Sequence, residues 1–139
     1  VISRVPTRVL RVALISSQPS LERGVAPIVR ESPQLTWTGS APDSDGAIHL
    51  CRADGPDVLL VDSATDPRWD MSLLLTSMFP NLVIVALLRR QSRNSVTAAW
   101  ARLHGVQGLV GLNADASCLL AAIQSAVEIG HYVQPGITT

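Results

Sequence analysis

Asp62 closes an apolar run, Pro56-Asp57-Val58-Leu59-Leu60-Val61-Asp62. A short run of branched apolar residues reads as a buried parallel strand, and the carboxyl ends of such strands are where open α/β sheets keep their sites. A carboxylate in that position suits acceptance of a phosphoryl group. That chemistry needs a divalent metal, with cationic or hydroxyl partners to neutralise the transferring oxygens. Here the partners are scarce. The first apolar run ends in Ser16-Ser17, where a metal would want acids, and all 11 basic residues are arginine, with no lysine. The pattern is that of a phosphoacceptor site stripped of its usual chemistry.

The other reactive residues each admit a plainer role. Asp62 itself could still be phosphorylated, with Asp66 or Asp70 recruiting metal, or could be a strand-end carboxylate that caps a local backbone amide. Asp66 and Asp70 flank Pro67 and read first as turn and cap residues. Arg89, Arg90 and Arg93 follow the fourth apolar run and read first as a solvated basic loop. The alternative is that one reaches Asp62 and supplies a permanent positive charge. His49, His104 and His131 show no ligand spacing, and Ser16 and Ser17 lack the histidine and carboxylate that a nucleophile requires. Gly105, Gly108 and Gly111 come too late in the chain for a phosphate cradle and read as caps and close packing. Cys51 and Cys118 read as small packing residues of a reducing compartment.

The elements that must position Asp62 follow from punctuation and periodicity. Strands are predicted at 9–15, 35–39, 57–62, 82–88 and 106–110, alternating with helices at 19–32, 47–53, 69–79, 92–104 and 115–129. Residues 41–46 are expected to be a turn-rich loop. Met71, Leu74, Leu75 and Met78 are offered to the core by the third helix, and Val96, Ala99, Trp100 and Leu103 share one side of the fourth. Trp100 reads first as core; exposed, it would mark an interface. The last helix is apolar over a width that exceeds one core stripe, so Leu119 and Ile123 could meet a partner.

A chain of 139 residues makes one ordinary domain, able to bury roughly two-thirds of its unfolded surface without disulfide or metal. Strands alternating with helices imply a doubly wound parallel sheet of five strands in the order 2-1-3-4-5. The expected domain runs over 9–135, after a flexible leader at 1–8 and before a linker or tail at 136–139; the stretch from His131 onward could already begin that linker. Formal net charge is zero, with 47% hydrophobic and 16% charged residues. That balance excludes a disordered chain and gives no cause for nucleic-acid or anionic-membrane binding. No apolar stretch approaches a membrane span, and a cytoplasmic location follows by default.

The order of elements, the Asp62 strand end, the turn Ile15-Ser16-Ser17-Gln18-Pro19, the segment Gly105-Val106-Gln107-Gly108 and the closing pattern Ala121-Ala122-Ile123-Gln124-Ser125-Ala126-Val127-Glu128-Ile129-Gly130-His131-Tyr132-Val133-Gln134-Pro135 together resemble a bacterial response-regulator receiver domain of the NarL/LuxR type. The resemblance spans about Arg11 to Pro135. It implies a CheY-like fold in which Asp62 is the candidate phosphoacceptor. It places Ser16 and Ser17 at the acidic pair that holds magnesium, Leu88 (or Leu87 or Arg89) at the switch hydroxyl, and Leu112 at the lysine. Of these, Asp62 alone keeps its chemistry, so no magnesium or other cofactor is expected.

The resemblance thus implies an atypical receiver, not an enzyme, acting by dimerisation, protein contact or binding of a small molecule in the Ser16–Asp62 crevice, whose neighbours read as apolar or neutral. It would control a helix-turn-helix DNA-binding domain absent from this chain and would not itself touch nucleic acid. The alternative is a working two-component phosphoacceptor domain modified on Asp62. A flavodoxin-like cofactor binder ranks below both, because the loop at 16–20 has hydroxyls without a phosphate-shaped run.

Overall fold

A computed structural model describes residues 9–89 and 95–134. The leader at 1–8, the tail at 136–139, Arg90, Arg93 and the side chain of Val96 lie outside the described residues. Six parallel strands form one sheet in the order β2-β1-β3-β4-β5-β6: β1 Leu10–Ile15, β2 Leu35–Ala41, β3 Val58–Asp62, β4 Val83–Leu88, β5 Val106–Gly111 and β6 Tyr132–Val133. Helices α1 (Pro19–Glu31), α2 (Ser44–Asp54), α3 (Asp70–Met78), α4 (Ser95–Leu103) and α5 (Ala116–Glu128) connect them. The expected 2-1-3-4-5 sheet is present, with a short sixth strand added.

β3 shows why the strands are apolar throughout. All five of its residues are buried, because helices cover both faces of the sheet. Leu59 and Val61 point into one cluster with residues of α2, α3 and α4. Val58 and Leu60 point into the other, with residues of α1 and α5. Each fully buried Leu, Ile or Val contributes about 2 kcal/mol through burial.

Several boundaries and exposures differ from the sequence reading, each for a local reason. α2 starts at Ser44 rather than 47, because the Asp43 side chain accepts from Gly46 N at 2.9 Å and caps it. It ends at Gly55, in the left-handed conformation at φ 56°, which glycine adopts without a Cβ clash. In α3 only Met71, Ser72 and Leu75 face inward, leaving Leu74 and Met78 exposed. Among the described side chains of α4 the buried one is Ala101, while Ala99, Trp100 and Leu103 are exposed. Trp100 is therefore not core. In α5 the reverse holds: Leu119 and Ile123 are buried with Ala122 and Ala126 against the sheet, so neither is available to a partner. The segment after Gly130 lays Tyr132 and Val133 beside Gly108 and Leu109. Gln134 fastens it, its N donating to Leu109 O at 2.9 Å and its Oε1 accepting from Gly111 N.

Both cysteines are free thiols. Burial pushes the Cys51 thiol up to about 11, which keeps it protonated and unreactive. Cys118 lies 3.5 Å from the Tyr132 hydroxyl. That hydrogen bond, with burial, pushes the tyrosine up to about 12.

Candidate functional site

Strand β1 pairs with β2 on one side and β3 on the other, so the chain reverses its winding direction at β1. The ends of β1 and β3 open at this switch point, where doubly wound folds place ligands. Ser16 follows β1 and Asp62 ends β3, and the two meet: Ser16 Oγ donates to Asp62 Oδ2 at 2.9 Å. Ser16 Oγ in turn accepts from Gln18 N at 3.0 Å, tying the hydroxyl to the start of α1. Ser17 makes no contact with Asp62; its N donates to Thr65 Oγ1 at 3.1 Å.

The remaining partners of Asp62 come from the other side. Its register partner on β4 is Leu87, which carries the β4 end past the carboxylate and puts Arg89 beside it. Arg89 Nη2 donates to Asp62 Oδ2 at 2.9 Å and Nε to Oδ1 at 3.2 Å, a forked, two-point ion pair. Ala64 N donates to Oδ1 at 3.1 Å. Each carboxylate oxygen therefore accepts two hydrogen bonds, and Asp62 is completely buried. The Arg89 side chain is 34% exposed, so one edge of the guanidinium meets solvent. Its backbone is held as well, N donating to Ser63 Oγ at 3.1 Å.

Of the two readings of the basic segment, the solvated loop does not describe Arg89. Asp62 caps the Ala64 amide and is also the carboxylate that Arg89 reaches. Leu88, which the resemblance set at the switch-hydroxyl position, is buried in the core. Leu112, which the resemblance set at the lysine position, is half-buried, with its N donating to Leu88 O at 2.8 Å. The hydroxyl that meets Asp62 belongs to Ser16, and that of Ser63, which the sequence reading did not single out, holds the Arg89 backbone. The signal available was a hydroxyl residue directly after the strand-end aspartate.

Asp66 is the second buried carboxylate. Its Oδ1 accepts from Met71 N at 3.1 Å, and its Oδ2 from Ser72 N at 2.9 Å and Ser72 Oγ at 2.8 Å. It thus satisfies free donors at the start of α3, as the cap reading expected. Asp70 is exposed as the first residue of α3. Bringing the chain round from Asp66 to that helix requires a left-handed residue, and the residue there is Trp69, at φ 63°. A bulky side chain in this region costs about 1–3 kcal/mol. Trp69 is also fully buried, and its indole N–H has no acceptor among the described residues. Sequence reasoning placed Trp69 inside the helix and missed both features.

Magnesium fits this donor set poorly. It takes near-octahedral oxygen ligands, at least one or two of them carboxylates. Here the strand-one positions offer only Ser16 and Ser17, and the one carboxylate at the site is already paired with Arg89. Among the described residues no group of three or more His, Cys, Asp or Glu side chains is placed to hold a metal ion. Two recesses flank the site. One of about 180 Å³ is lined by Ser16, Ser17, Pro19, Glu22, Ser40 and Ala41 among others. An open cleft of about 620 Å³ is lined by Ser17, Asp43, Thr65, Asp66, Asp70 and Leu74 among others. Asp62 lines neither, and the larger cleft carries the acidic side chains of Asp43, Asp66 and Asp70.

No family model matches the chain. It is 22% identical over 135 residues to the transcriptional regulatory protein DegU of Brevibacillus brevis, covering 93% of this chain and 55% of DegU. The chain thus spans about half the length of that relative. Among solved structures it resembles a LuxR-family two-component response regulator from Aurantimonas sp. SI85-9A1. That match has a TM-score of 0.81 and 20% identity, over 93% of this chain and 92% of the other. It also resembles the receiver domain of the response regulator NarL from Mycobacterium tuberculosis. Here the TM-score is 0.77 at 18% identity, covering 87% and 98% of the respective chains. The doubly wound sheet closing on a buried Asp62 has the fold of the NarL/LuxR-type response-regulator receiver domains.

Proposed function

We propose that this domain is the regulatory, non-enzymatic receiver module of a DNA-binding response regulator, and that it works without magnesium-dependent phosphorylation of Asp62. The observation that carries this reading is the saturation of the carboxylate. To accept a phosphoryl group, an Asp62 oxygen must present a free lone pair to phosphorus while cations draw charge from the other oxygens. Both oxygens are instead occupied by Arg89, Ser16 and Ala64. A two-point arginine–carboxylate pair is among the stronger polar contacts in proteins. Arg89 supplies permanently the positive charge that a metal would supply on demand.

The likeness to DegU, a transcriptional regulatory protein, supports a DNA-binding domain elsewhere in the protein and a cytoplasmic setting. Among the described residues no helix is long and apolar enough to cross a membrane. The exposed Trp100 and Leu103 of α4 support pairing of two copies.

Intact-mass spectrometry after incubation with magnesium and acetyl phosphate tests the reading. Attack by an Asp62 oxygen on phosphorus would expel acetate and add one phosphoryl group to the chain. The expected result is no added mass, together with a dimer in untreated protein by sedimentation. A phosphoryl adduct that disappears in Asp62→Asn would overturn the reading and make this a working phosphoacceptor.

A further inference from the structure

α2 and α3 cover the same face of the sheet, and recesses open between them at both ends. Beside the strand ends lies the cleft of about 620 Å³, lined by Asp43 and Ser44 at the start of α2 and by Asp70, Met71 and Leu74 of α3. At the opposite end a recess of about 330 Å³ is lined by Cys51 of α2 and by Met78 and Phe79 of α3. Met71, Leu74 and Met78 recur at i, i+3 and i+7, so one stripe of α3 joins the two recesses. Leu74 is 45% exposed and Met78 37%, and α3 carries no charged residue after Asp70. Charge gathers at one end of this apolar stripe. The chain is neutral as a whole, yet seven of its 11 acidic residues and only two of its 11 basic ones, Arg52 and Arg68, fall within 43–70. Asp62 is held by Arg89 and Asp66 by the start of α3, but Asp43, Asp45 and Asp70 are exposed.

We propose that the space between α2 and α3 docks an amphipathic helix of a partner protein, apolar along one stripe and rich in arginine or lysine in its last turn. Leu74 and Met78 meet the stripe, and Asp43 and Asp70 meet the basic turn. The direction follows from the dipoles. A helix antiparallel to α2 and α3 brings its negative C-terminal end to their positive N-terminal ends, and its basic residues stand where its own dipole favours them. α3 spans nine residues, about 13 Å, so the contact is small and exchangeable. The described helices of a second copy make poor occupants. α1 balances Arg23 and Arg30 against Glu22 and Glu31, α4 carries Arg102 alone, and α5 has no basic residue. The proposal goes beyond the reading of Asp62 and does not depend on whether that carboxylate accepts phosphate.

The chain's two methionines, Met71 and Met78, stand one at each recess. Methyl NMR of the full chain, labelled with carbon-13 at the methionine methyls, therefore gives two signals at the site, told apart by Met78→Leu. The probe is a synthetic helical peptide of about 15 residues, with leucines at i, i+4 and i+7 and arginines in its last turn. Both signals should move saturably as it is added. The same peptide with glutamates for arginines should bind at least about tenfold more weakly. Leu74→Ser should raise the dissociation constant about tenfold. Asp70→Asn should raise it about two- to threefold at low salt and leave no difference at high salt. Both substituted residues are exposed, and the methyl signals without peptide report whether each variant keeps the fold. Methionine signals that stay in place, equal response to both peptides, or unchanged binding in folded Leu74→Ser would overturn the proposal. Signals that move on diluting the protein alone would identify a second copy as the occupant and overturn it as well.

Discussion

Asp62 and Asp66 are buried carboxylates on one short turn, 0% and 4% exposed, yet they are satisfied in opposite ways. Every partner of Asp66 lies within six residues: Met71 N, Ser72 N and Ser72 Oγ. Its bonds form when α3 forms and say nothing about the rest of the sheet. Asp62 draws on Ser16, 46 residues away, and Arg89, 27 residues away, besides its neighbour Ala64. Its bonds exist only when β1, β3 and β4 are in register. A carboxylate satisfied locally is a structural part of a helix. One satisfied from three strand ends is a junction, and only a junction can report that one of those ends has moved.

That contrast predicts an order of stabilities in which the conspicuous strand-end aspartate matters least. Asp66→Ala should cost most, about 3 kcal/mol, because it strands two backbone N–H groups and a hydroxyl in a place that is only 4% exposed. Arg89→Ala should cost about 2 kcal/mol. It leaves the Asp62 charge buried with only Ser16 and Ala64, a penalty reduced by water entering where a third of the arginine was already exposed. Asp62→Ala should cost least, about 1 kcal/mol, since it removes the buried charge and frees a guanidinium that can turn outward. Urea unfolding of the three variants checks the order. If Asp62→Ala proved costlier than Asp66→Ala, the junction would be the main support of the fold and the distinction would fail.

The sequence carried the junction's strand end but not its partners. Asp62 was legible because β3 is a continuous apolar run bounded by Gly55-Pro56, and such a run admits few other structures. Ser16 was legible as its counterpart for the same reason on β1. Arg89 was visible as one of three neighbouring arginines, but choosing it required the β3–β4 register that sets Asp62 opposite Leu87, a long-range fact that local pattern does not contain. Trp69 was hidden more deeply. Nothing in Arg68-Trp69-Asp70 announces a positive φ, which usually falls to Gly or Asn; the conformation is imposed by Asp66 reaching round to cap α3. The exposures of Trp100, Leu119 and Ile123 were hidden for a simpler reason. Periodicity defines an apolar stripe, whereas the neighbouring elements decide which edge of it is covered.

The comparison extends to a third carboxylate with the smallest expected effect. Asp115 caps α5, its Oδ1 accepting from Cys118 N and Ser117 Oγ, both at 2.9 Å. It is local like Asp66 but exposed to solvent. Those two hydrogen bonds, the backbone one foremost, hold its carboxyl below the ordinary value of 3.8. A carboxyl depressed in the folded state contributes stability above its unfolded value, and that contribution is lost as pH falls through the folded value. The difference in urea midpoint between wild type and Asp115→Ala should therefore be present at neutral pH and shrink on acidification below about pH 4. It should remain smaller throughout than the difference for Asp66→Ala, which strands three donors in a largely buried place. Equal losses at the two caps would show that burial adds nothing to a locally satisfied carboxylate. The contrast between Asp62 and Asp66 would then rest on the reach of their partners alone.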